Sequence, residues 1–159
     1  MVDYKTLPAT TRVWIYQSNK NLADDIAAAI SLQIDNFVGQ WTAHNNALRA
    51  WGQLMHNRFI VLMVDESQAG ASGCSIDKSV AFVKAVEQAT GAEFFDRFNF
   101  AYKLGSELKS ASRDIFEALY KKGEINDSTI VFNNLVQTKA EFEEKWQIPL
   151  SESWHKNFV

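Results

Sequence analysis

Six consecutive apolar residues, Phe59 to Val64, stand between Arg58 and Asp65 and lead into a loop of Gly, Ser and Ala, and no other stretch constrains the chain as much. So short a run, bounded by turn signals, reads as a buried strand at the centre of a sheet. Beyond the loop, Ile76, Val80, Val83 and Val86 recur at helical spacing. Ser75 is the expected N-cap, and Asp77 falls in the first turn, where the helix dipole favours a carboxylate. Strand, small-residue loop and helix together put Asp65 and Glu66 at the carboxyl end of a central strand and Cys74 beside a helix N-terminus, a place where α/β proteins bind ligands.

Composition narrows the class. A chain of 159 residues is expected to form one domain, residues 1–159, burying roughly two thirds of its unfolded surface. With 47% hydrophobic residues, two prolines and seven glycines, it has the makings of a packed core and little room for linkers. A net charge of -3 argues against nucleic acid and against an anionic membrane surface as partners. No apolar run approaches the roughly 18 residues of a membrane span. The single cysteine excludes an internal disulfide, and the N-terminal MVDYKTLPATT lacks the apolar core of a signal peptide, so a reducing cytoplasm is expected.

Read in order, Val13, Trp14, Ile15 and Tyr16 form a β-branched and aromatic strand. Asn21 is the expected cap of a first helix, with Asp24 three residues on and Leu22, Ile26, Ile30, Ile34, Phe37 and Trp41 as its core stripe. Between Thr42 and Asn57 the pattern fits helix or strand; the His56-Asn57 turn signal just before the strong strand favours a hairpin. Gly91 ends the second helix near Thr90. Phe98, Phe100, Tyr102 and Leu104 alternate with polar residues, Gly105-Ser106 makes a two-residue hairpin, and Glu107 to Ser110 is the partner strand. Ser112 caps a third helix with Ile115, Phe116, Leu119 and Tyr120 buried, ended by Lys121, Lys122 and Gly123. Thr129 to Leu135 is a further strand. Thr138 and Glu141 form a capping box for a last long helix that Pro149 stops, and an aromatic tail through Trp154 and Phe158 docks on the fold. The order β-α-β-β-α-β-β-α-β-α, with hairpins mixed among crossovers, defines an α+β class with a mixed or mainly antiparallel sheet flanked by helices. With one more strand, its first half would satisfy a split βαβ pattern like that of ferredoxin-like folds.

The segments RVWIYQS, VDES followed by SGCSIDKS, TIVFNNLVQTK and W-x-I-P-L-x-x-S-W-H resemble a family of small uncharacterised Bacteroidetes proteins that carry the label "ABC transporter ATPase". The resemblance spans nearly the whole chain and implies a compact bacterial cytoplasmic protein. Ile60 to Ser67 is similar to the Walker B strand of ABC ATPases, in which Asp holds magnesium and Glu positions water. A P-loop NTPase also needs G-x-x-x-x-G-K-[ST] upstream to cradle the phosphates, and none precedes Asp65. The nearest approach, Gly73 to Lys78-Ser79, is one residue short and lies after the acidic pair, so ATP binding and hydrolysis are not expected. Residues 98–132 resemble the helix-to-strand half of GYF-type interaction domains, from Ser112 through Phe116-Glu117-Ala118-Leu119 and Lys122-Gly123-Glu124-Ile125 to Thr129-Ile130-Val131-Phe132. That resemblance implies a binding module.

The chemistry-bearing candidates are few. In the loop Gly70 to Ser75, small residues, the hydroxyls of Ser72 and Ser75, and a following helix N-terminus suit an anion, with Ser72, Gly73, Cys74 and Ser75 as ligand-binding candidates. A plain capped connection is the competing explanation. Cys74 as nucleophile, and Asp65 or Glu66 as metal ligand or general base, are the catalytic candidates. His44 and His56 fall in or near loops as solvated residues, and no histidine and cysteine share a metal-ligand spacing, so no metal or cofactor is read from the sequence. Two functions follow: a small ligand-binding or protein-interaction module taking a small anion or a protein partner, or a small metal-dependent hydrolase or phosphoryl-group-handling enzyme built on residues 65–75. Whether the chain is an enzyme, and whether it self-associates, stays open at this point.

Overall fold

The computed structural model describes residues 1–67 and 71–159. The strand run Phe59–Asp65 (β5) is flanked on both sides by antiparallel neighbours, β1 (Arg12–Gln17) and β4 (Arg49–Met55), in the order β1-β5-β4. Alternate residues of β5 enter different cores. Ile60, Leu62 and Val64 pack under α1 (Asp24–Gln40) and α2 (Gly73–Thr90), while Phe59, Val61 and Met63 face a second sheet. A strand covered on both faces has no solvent side on which to place polar residues, and this is why its sequence is continuously apolar.

Because β5 is antiparallel to both neighbours, β1 and β4 run parallel with α1 as their crossover and β5 inserted between them, the split βαβ arrangement. A fourth strand of a ferredoxin-like sheet would lie beside β1. That edge is instead met by an isolated bridge from Arg12 to Thr138 and by the Val13 amide donating to Gln137 O. The chain after α2 builds the second sheet, order β7-β6-β8-β9, from β6 (Asn99–Leu104), β7 (Glu107–Ser112), β8 (Ile130–Phe132) and β9 (Gln147–Pro149). All its pairings are antiparallel. Ala101 and Phe132 face the first sheet, whereas Phe100, Tyr102 and Val131 face α3 (Arg113–Lys121) and the C-terminal 3-10 turns. The layers are therefore helices, sheet, sheet, helix, with one apolar cluster at each of the three contacts. No helix among the described residues is long and apolar enough to cross a membrane.

Several local expectations are corrected. Helix α1 starts after Ala23, not Asn21, whose side-chain oxygen accepts from Arg58 Nε and Nη2 at 3.0 and 2.6 Å. Helix α2 is capped by Ser72, three residues before Ser75, because the two serines close a capping box in which each side chain accepts the other's backbone N–H; Asp77 then lies beyond the first turn. Ile115 is 57% exposed, since α3 is short and only Phe116 of it is fully buried. The expected strand 129–135 narrows to Ile130–Phe132. The last helix, α4 (Lys139–Lys145), is short, and Pro149 sits in β9 and plays no part in stopping it. A small hairpin, β2 (Thr42–Ala43) with β3 (Asn46–Ala47), turns through His44 and Asn45 at positive φ, a feature too short to leave a hydrophobic period. The hairpin through His56 and Asn57, the Gly105-Ser106 turn, the left-handed Gly91 and the docked tail are as the residues suggested.

Candidate functional site

The acidic pair at the end of β5 is set between two arginines. Arg49 opens β4 directly opposite Asp65, and its Nε donates to Asp65 Oδ2 at 3.1 Å. The other carboxylate oxygen of Asp65 accepts the Ser67 amide at 3.0 Å. Hydrogen bonds from Ser67 and the Arg49 guanidinium hold Asp65 below the usual carboxylate range. Glu66 lies 4.0 Å from Arg12 of β1 in a surface pair. Both carboxylates thus have cationic partners, and no group of three metal-ligating side chains occurs among the described residues.

Within the loop that follows, Gly70 lies outside the described residues. Ser72 and Ser75 spend their hydroxyls on the capping box, with Ser75 Oγ also donating to Ser72 O at 2.8 Å, and Ser75 is buried. Gly73 and Cys74 are exposed in the first turn of α2. The segment Gly73 to Ser79 is helical from its first residue, so its amides beyond the first turn serve the helix ladder and do not wrap a phosphate. The structure therefore brings Ser72 and Ser75 together for a structural purpose and places no hydrogen-bonded base at Cys74 among the described residues.

What the loop does adjoin is an aromatic cleft. The Ser75 carbonyl accepts from Trp41 Nε1 at 2.9 Å, which ties the start of α2 to the end of α1. Between these helices lies an open cleft of about 520 Å³ lined by Phe37, Gln40, Trp41, Lys78, Ala81 and Phe82. Phe37 and Phe82 stack with ring centroids 4.6 Å apart and planes within 10°, and Phe37 meets Trp41 at 5.0 Å. Both phenylalanines are half-buried, so each keeps an edge to solvent. Lys78 is the one charged residue in the lining; its Nζ donates to Thr42 Oγ1 at 3.2 Å and is otherwise exposed. The cleft is shallow and open, and it combines aromatic side chains with a single charge at its rim. Sequence reasoning assigned Phe37 and Trp41 to the core stripe and passed over Phe82, which lies off the 76/80/83/86 period; that off-stripe phenylalanine was the available signal.

One other grouping has catalytic-looking geometry without access. Ser153 Oγ and His155 Nδ1 are 2.6 Å apart, as in a nucleophile and its base, but they are 1% and 2% exposed under Phe100, Phe116 and Trp154. Burial pushes His155 down to about 4, so the ring is neutral near pH 7 and no substrate can reach the pair. His56 is exposed in the β4–β5 turn, as expected, with one side of its ring against Phe59, Phe132 and Trp146; partial burial and nearby Lys103 lower its pKa. Comparison of the chain with protein-family models, with curated proteins and with solved structures yields no match.

Proposed function

We propose that this protein is a small binding module and that its ligand docks in the cleft between α1 and α2. The observation that carries the reading is the stacked Phe37/Phe82 pair, half open to solvent, with Lys78 at its rim. The open ring edges bind an apolar body by dispersion and desolvation, and a single ammonium selects one negative charge on it. The ligand class is therefore an apolar group bearing an anion, free or displayed on a protein. An exposed thiol at Cys74 is compatible with a reducing compartment, and we place the protein in the cytoplasm on that basis. The enzymatic alternative at Asp65 and Glu66 has less support, since a metal ion, or the water or substrate a carboxylate base would deprotonate, would first have to displace Arg49 or Arg12 from the carboxylates.

Titration of the native protein with 1-anilinonaphthalene-8-sulfonate, an aromatic anion, tests this through the probe's fluorescence. Saturable binding is expected, with Phe82→Ala and Lys78→Glu each weakening it about tenfold when measured well below the melting temperature of either variant. The neutral analogue N-phenyl-1-naphthylamine should respond to Phe82→Ala and ignore Lys78→Glu. If neither substitution moves either titration, the cleft is not the binding site.

A further inference from the structure

The four outer strand edges of the two sheets differ in what covers them. On the first sheet, β1 is bridged to Thr138, and β4 receives the Val2 amide at Ala50 O. On the second sheet, β9 is three residues long and includes Pro149, which has no N–H to offer. Strand β7 is different: six residues long, it pairs with β6 over its whole length, and among the described residues no other segment bonds its backbone. A two-residue turn makes Leu104 and Glu107 a hydrogen-bonded pair, so Glu107, Lys109 and Ala111 spend their backbone groups on β6. Leu108 and Ser110 therefore present both N–H and C=O outward, and Ser112 presents its N–H.

The side chains around this edge select what can pair with it. From Glu107 to Arg113 the sequence reads E-L-K-S-A-S-R, with an acid at one end, a base at the other and Ser110 midway. Antiparallel pairing of β7 with itself, Ser110 opposite Ser110, places Leu108 opposite Ser112 and brings Glu107, at the end of the ladder, beside Arg113, the first residue of α3, twice each by symmetry. The outward groups then form about four backbone hydrogen bonds, two at the Ser110 pair and one from each Ser112 N–H to the Leu108 C=O of the second copy. Both end residues are exposed: Glu107 is 68% exposed and 3.8 Å from Lys109, and Arg113 is 55% exposed, 3.9 Å from Asp114 and 5.7 Å from the Phe158 ring centroid, contacts loose enough to exchange for a partner. Sliding the register by two residues would bring Ser106 of the turn into the ladder and unpair the charged ends.

We infer that two copies of the chain associate edge to edge through β7, about a two-fold axis at Ser110, into one continuous eight-stranded antiparallel sheet. Sedimentation equilibrium from about 1 μM to about 1 mM, a range that covers small interfaces, should show the mass rising from 18.0 kDa toward its double. Glu107→Arg alone and Arg113→Glu alone put like charges opposite each other twice and should raise the dissociation constant roughly ten- to thirtyfold. The double variant restores both pairs and should return it to within about threefold of wild type. In the unaltered protein, the amides of Leu108, Ser110 and Ser112 should gain hydrogen-exchange protection as concentration rises, with no dependence on any variant folding. A single 18.0 kDa species throughout overturns the inference, as does a dimer indifferent to both charge reversals.

Discussion

His155 is held neutral by burial alone, with no carboxylate nearby to favour its charged form. Above pH 6.5 neither the folded nor the unfolded chain protonates it. Between 6.5 and about 4 only the unfolded chain does, so in that window this histidine lowers stability as pH falls, and below about 4 the loss levels off. The full effect is on the order of 3 kcal/mol. Thermal melts across this window should show the stability of His155→Phe falling by about that much less than that of the unaltered protein, while His56, also depressed, contributes with the same sign. At neutral pH the same substitution should cost about 1 kcal/mol, because the buried Ser153 hydroxyl loses its partner. Asp65 shows the opposite arrangement at the same scale: a carboxylate in a promising place whose oxygens are already taken by Arg49 and Ser67.

Among the elements, the approach of α1 to β4 is set by a missing side chain. A Cβ on Gly52 would lie 2.9 Å from Ile34 Cγ2, Val38 Cγ2 and Leu62 Cδ2, three branched side chains held in a packed core. Gly52→Ala should therefore destabilise by about 1–3 kcal/mol by pushing α1 off the sheet. Gly39, on α1 itself, has nothing within 4 Å of the same added atom. Gly39→Ala should stabilise by about 0.5–1 kcal/mol through helix propensity, so denaturant melts of the two variants move in opposite directions.

At the scale of the whole molecule, the two sheets are joined at one rim by a buried cation. Arg58, in the β4–β5 turn, is 3% exposed, with Nη1 donating to Ser110 Oγ of β7 at 2.6 Å and Nε and Nη2 donating to Asn21. Its acceptors are neutral, and burial lowers its pKa. Arg58→Met should cost about 1–2 kcal/mol, because the charge-assisted bonds to Asn21 and Ser110 are lost while exposed Asn21 can turn to water. A double-mutant cycle with Ser110→Ala, read by urea unfolding at low micromolar protein, should give a coupling of about 1 kcal/mol if the bond ties the sheets together. Simple additivity would mean that the sheets are held by their apolar contact alone.

Features written in neighbouring residues were determined by the sequence: the buried strand from its unbroken apolar run, the hairpin turns at His56-Asn57 and Gly105-Ser106, the end of α2 at Gly91, and the α+β class. Each depends on backbone preference or hydrophobic period within a few residues. The tertiary structure decided which surfaces those elements share. Asn21 looked like a helix cap until Arg58, far along the chain, took its oxygen. Ser72 and Ser75 looked like anion ligands until they closed on each other, and Asp65 looked like a free carboxylate until Arg49 came opposite it. The aromatic cleft unites Phe37 of one helix with Phe82 of another, residues that no local period connects. A polar or aromatic side chain can be matched with its partner only after packing has brought distant segments together, and that is why the fold class could be read from the chain while the site could not.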